Sequence, residues 1–165
     1  MLWLLPGLVL AVVLQTIPLP GATLLPIRPD LVLVIVVGWA ILRGWQDGLA
    51  VGLLGGFLTD LTSATPFAIN LVRLGVVGLA VGLAMQRLAR QGALVPLAGA
   101  GVATFFGFGL TLLGFQASRW ALPWEYALVY QALPSAVLNV LLMAAIFPGL
   151  RALARRGMSV EEANA

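Results

Sequence analysis

The sequence predicts an all-α integral membrane protein, a compact bundle of about six transmembrane helices. Three observations carry that expectation. First, of 165 residues 61% are hydrophobic and only 9% charged, with a mean hydropathy of +1.06. A soluble domain averages about 25% charged residues, so this chain cannot clothe a water-facing surface and the bilayer is its expected solvent. Second, the apolar residues fall into six runs separated by short segments rich in Pro, Gly and charge. In lipid, runs of this kind must be helices that satisfy their own backbone groups. Third, all nine cations are arginine, and eight of them lie between or beyond the runs.

Taken in order, the expected spans are 2–18, 30–45, 47–61, 67–85, 93–115 and 126–149, within one domain over 1–157 and a short cytoplasmic tail over 158–165. The first run has no positive segment before it, so it is expected to remain as a span rather than act as a cleaved signal. Pro18, Pro20, Pro26 and Pro29, with Arg28 and Asp30 among them, make a stiff non-helical connection. The second and third runs are short against the roughly 20 residues that a span needs. They must include polar flanks, tilt, or sit in a thinned bilayer. Trp39 and Trp45 would anchor this pair at the interface, with Arg43 snorkelling.

Thr65-Pro66 opens the fourth helix with Pro at its first position. The fifth run carries Gly99, Ala103 and Gly107 at four-residue intervals, and the sixth contains Pro134. The basic stretch Arg151, Arg155 and Arg156 precedes a polar end expected to fray. With both termini cytoplasmic, the inner segments hold Arg43, Arg87, Arg90, Arg151, Arg155 and Arg156, against Arg28 and Arg119 outside. That bias sets the expected orientation of a multi-pass protein in the cytoplasmic membrane.

The third run is the expected centre of the bundle. Gly48, Gly52 and Gly56 share one helical face, with Gly55 beside them. Each glycine costs about 1 kcal/mol relative to Ala, which close packing in lipid can offset. This bare face is expected to receive either a partner's helix or one of the chain's own. Asp60 ends that helix, and Arg73 lies two turns into the next. The short loop between them predicts an antiparallel hairpin in which the two charges pair, with Asn70 on the same face. Gln131, Ser135 and Asn139 form a polar stripe on the sixth helix, where Pro134 frees a backbone carbonyl. The plain reading of this stripe is inter-helix hydrogen bonding. Trp120 and Trp124 lie in an outer loop and read as an aromatic belt, or as a docking edge for an extracytoplasmic partner.

Cysteine and histidine are both absent. This removes disulfides, thiol nucleophiles, imidazole bases and the usual soft metal ligands. Neither a metal site nor a cofactor is expected. The pI near 10.6 reflects membrane orientation and contact with lipid headgroups rather than nucleic-acid binding. Asp47-Gly48 followed by Gly56 and Asp60 resembles part of the CDP-alcohol phosphotransferase motif. That motif needs further acids where this chain has Gly44 and Ala64, and two lone carboxylates at opposite helix ends cannot hold a metal pair about 4 Å apart. No catalytic residue is expected, and the chain reads as a non-enzyme.

Three stretches carry a resemblance to a known family. Arg28-Pro29-Asp30-Leu31-Val32-Leu33, the glycine-rich Gly52 to Asp60, and Leu133-Pro134-Ser135-Ala136-Val137-Leu138-Asn139 together resemble the MreD family of rod shape-determining membrane proteins. Phe67-Ala68-Ile69-Asn70 departs from its pattern, which more often shows a Gly before the helix. The resemblance implies a non-enzymatic scaffold of the bacterial elongation machinery, active in rod shape and peptidoglycan synthesis. Its implied partners are an MreC-like bitopic membrane protein, MreB and the peptidoglycan glycosyltransferase–transpeptidase pair. It also implies a fold similar to the substrate-binding subunits of energy-coupling-factor transporters. That similarity supplies the alternative, a vitamin-like small-molecule-binding subunit, which would need a polar outward cavity and a small-residue face on helix 1. The run from Leu8 to Leu14 is bulky there apart from Ala11.

Overall fold

The computed structural model describes residues 4–16, 29–63, 68–88, 94–117 and 127–163. Six α-helices lie within them: α1 (Leu5–Thr16), α2 (Leu31–Arg43), α3 (Trp45–Thr62), α4 (Ile69–Leu88), α5 (Leu94–Ala117) and α6 (Leu133–Ala163). A π-helical turn, Ala127–Ala132, leads directly into α6. It ends two residues before Pro134, whose missing N–H leaves a carbonyl one turn back without its helical donor.

The centre of the bundle is α2. Every residue from Val32 to Ala40 is buried, and the helix touches all five others. A helix apolar on all sides lies either within protein or in lipid, and here neighbouring helices enclose it. This corrects two expectations. The glycine-rich α3 is not the central helix, and Trp39 is a core residue, 6% exposed, rather than an interfacial anchor. At 13 residues, or about 20 Å, α2 is shorter than the roughly 30 Å hydrocarbon core, and its neighbours rather than lipid surround it.

α3 and α4 form the tightest pair in the fold, an antiparallel hairpin. A Cβ at Gly48 would strike the Gly78 carbonyl of α4 and the Ala40 methyl of α2. One at Gly52 would meet the backbone of Leu74, and one at Gly56 that of Asn70 and Leu71. Gly78 and Gly82 of α4 face the backbone of Gly48 and Trp45 in return. The bare face is therefore filled by the chain's own next helix. Gly55 looks the other way, towards Val32 of α2 and Leu8 of α1. The turn from α2 to α3 runs through Gly44 at φ 94°, a left-handed conformation that glycine adopts without strain. The Arg43–Asp47 ion pair at 2.9 Å spans it.

Two helical stretches, Leu94–Ala117 and Val129–Arg155, are long and apolar enough to cross a membrane. α1, α2 and Ile69–Met85 of α4 are apolar but shorter. The small-residue face of α5 packs inward: Gly99 meets Ile41 and Met85, and Gly107 meets Leu33. Large apolar side chains cover the outside instead, among them Leu10, Leu14, Phe57, Leu61, Val102 and Leu113. Such an apolar exterior fits a lipid solvent. α6 continues to Ala163, beyond the expected end at 149 and through most of the expected frayed tail. Ala, Leu, Arg, Met and Glu in that stretch are all good helix formers, which a polar composition alone conceals.

Candidate functional site

The polar groups converge on Asp30. Pro29 has no N–H to donate and holds the chain extended, so Asp30 falls at the N-cap of α2. Its Oδ1 accepts the Leu33 N–H at 3.0 Å and Gln15 Nε2, from the end of α1, at 3.2 Å. Its Oδ2 accepts a guanidinium N–H of Arg73 on α4 at 2.7 Å. Its backbone N–H donates to Asn139 Oδ1 on α6 at 2.9 Å. Asn139 is fully buried, and its Nδ2 donates to Thr104 Oγ1 on α5 at 3.1 Å. Thr104 in turn donates to the Ala100 carbonyl at 2.7 Å. Asp30 thereby ties together α1, α2, α4 and α6, and Asn139 adds α5.

The remaining helix, α3, joins through a second cluster. Asp60, 5% exposed, accepts the Asn70 N–H at 3.1 Å, Asn70 Nδ2 at 2.9 Å and the Leu71 N–H at 2.9 Å. This carboxylate caps the start of α4, where backbone donors have no helical acceptor. The expected Asp60–Arg73 pair is thus corrected. Three nearby donors satisfy Asp60, and Arg73 turns inward to Asp30 instead. Gly107 lies beside the stem of Arg73 and leaves it room.

The Arg73 and Asp30 side chains are 13% and 20% exposed. A pair this secluded contributes little net stability, but removing one partner strands a charge and costs about 3–5 kcal/mol. Arg73 Nε is buried without a partner among the described residues. The stripe on α6 divides: Asn139 enters the hub, Ser135 is buried and Gln131 half-buried. Trp120 and Trp124 lie outside the described residues.

Three hub members, Asp30, Gln15 and Thr104, were not among the candidate site residues, although Asp30 stood in the stretch that carries the family resemblance. Asp30 carried a signal, an acid directly before an apolar run and after Pro, which is an N-cap signature. Gln15 at the end of its run and Thr104 inside an apolar one carry none that periodicity can resolve. Apart from Arg73 Nε, the hub's polar groups bond to one another and to nearby backbone. No group of three or more His, Cys, Asp or Glu side chains able to hold a metal occurs among the described residues. A groove of about 340 Å³ between α5 and α6 is lined by apolar residues, including Gly101, Phe105, Ala136 and Val140. It offers no polar group to orient a solute.

A family model described as MreD, rod shape-determining protein, matches residues 1–156. No curated protein and no solved structure matches the chain.

Proposed function

The chain belongs to the MreD family, which gives it a role in rod-shape determination, and we infer that it works there as a non-enzymatic membrane scaffold. In this reading it sits in the bacterial cytoplasmic membrane and holds an MreC-like bitopic protein within the elongation machinery. MreB and the peptidoglycan glycosyltransferase–transpeptidase pair act with that complex. The observation that carries the reading is the Asp30 hub. The charges inside this bundle tie five helices into one body rather than facing a chamber where they would select a solute. A rigid body with an apolar exterior is suited to presenting fixed helix faces to other membrane helices.

Crosslinking in native membranes, followed by identification of the attached proteins, tests this. Capture of an MreC-like protein by the native chain is the expected result. A purified chain that retains a small metabolite and captures no wall-synthesis protein would instead support the transporter-subunit alternative.

A further inference from the structure

α6 presents a continuous exposed stripe along one side. Leu133, Val137, Leu141, Ala144 and Pro148 recur at intervals of three and four, and all are exposed. The same spacing then continues into Arg151 and Arg155, exposed as well. The stripe cannot rotate away, because Met143, Leu150 and Ala154 on the opposite side are buried in the core. Its upper part forms one wall of the apolar groove, whose floor includes the small residues Gly101 and Ala136.

The two arginines stack one helical turn apart, about 6 Å between their Cβ atoms. Neither has an ion-pair partner among the described residues, whereas Arg43 and Arg73 each have one. From Leu141 to Arg151 the helix rises about 15 Å, half the roughly 30 Å hydrocarbon core. When the groove lies near the bilayer midplane, the arginines therefore stand at headgroup depth.

We propose that this stripe binds one anionic phospholipid, with its phosphate between Arg151 and Arg155 and an acyl chain running past Ala144 and Leu141 into the groove. The charge pattern selects this occupant. Two unpaired cations mark one end, and the groove beyond them is wholly apolar, which matches a molecule with one anionic head and an uncharged tail. Guanidinium forks suit phosphate oxygens, and basic residues at the surface of an anionic leaflet are attracted to it. The site is independent of the scaffold reading, since it requires no protein partner.

Native mass spectrometry of the full-length chain tests the proposal. The chain is presented with equal amounts of dioleoyl phosphatidylglycerol and dioleoyl phosphatidylcholine in mixed micelles. One retained phosphatidylglycerol is expected, favoured over phosphatidylcholine by roughly five-fold for each arginine. Arg151→Gln with Arg155→Gln should bring that preference close to unity. Ala136→Phe, which fills the groove, should lower retention of both lipids while keeping the preference. Raising the salt concentration should erode the preference in the unmodified chain, a readout that needs no variant to fold. Equal retention of both lipids by the unmodified chain, or a preference surviving in the double variant, overturns the proposal. So does a photocrosslinker at Leu141 that captures a protein helix and no lipid in native membranes.

Discussion

Asp30 performs three tasks at once: it caps α2, neutralises Arg73 and receives Gln15. Asp30→Asn keeps an acceptor for the cap but leaves Arg73 as an uncompensated buried charge. It should therefore destabilise the bundle by about 3 kcal/mol in denaturant-driven unfolding from mixed micelles. Adding Arg73→Met should recover more than about 1 kcal/mol of that loss, as contacting residues in one network do. The corresponding cycle between Asp60→Asn and Arg73→Met should be additive; a large coupling there would show that Asp60 and Arg73 are in contact. A second site of this kind is Ala68, which stands at φ 75° just before α4. A left-handed conformation costs an L-residue about 1–2 kcal/mol, and the greater freedom of an unfolded glycine offsets part of the relief. Ala68→Gly should raise stability by about 0.5–1 kcal/mol in the same assay. Ala68 thus holds a backbone conformation that glycine adopts without strain.

At the scale of elements, the α3–α4 hairpin rests on backbone approaching backbone. Gly52→Ala would place a methyl into the Leu74 main chain, and neither helix can yield without shifting whole. Overpacking costs about 1–3 kcal/mol even against side chains. Gly52→Ala should therefore cost at least that much, read as lost monodisperse protein on gel filtration. Gly109→Ala on α5 is the control. A Cβ there meets nothing, so the change should be neutral or stabilise by up to about 1 kcal/mol. The hairpin was legible in sequence from the short loop between Asp60 and Arg73, and the bare face of α3 from its four-residue glycine spacing. The occupant of that face was not legible, because a bare face reads alike whether an internal or an external helix fills it. The centrality of α2 was hidden for a related reason. Val, Leu and Ile on every side suit a helix enclosed by protein and one enclosed by lipid equally well, so Trp39 read as interfacial. Asn139 was visible as part of a polar stripe in an apolar run, while its partner Thr104, in the fifth run, looked like any other small residue.

The whole molecule separates its polar groups by end. The up-and-down order places the end of α1, the starts of α2 and α4, and the end of α3 at one end of the bundle. Gln15 bonds to Asp30 there, and Asn70 to Asp60. Arg43, Arg151 and Arg155 stand at the other end, where the last two are exposed. On the expectation that an excess of arginine faces the cytoplasm, the hub would lie in the outer half of the membrane. The chain contains no cysteine, so a single introduced one is the only thiol available for labelling. Thr62→Cys, at the exposed end of α3, should react with a membrane-impermeant maleimide in intact cells. Ala152→Cys, exposed beside Arg151, should react only after the membrane is permeabilised. Val36→Cys, buried in α2, should resist labelling in both conditions until the protein is denatured. If Ala152→Cys labels from outside and Thr62→Cys does not, the bundle is inverted and the hub lies in the inner half. If Val36→Cys labels in the folded protein, α2 is not the enclosed helix around which the other five are arranged.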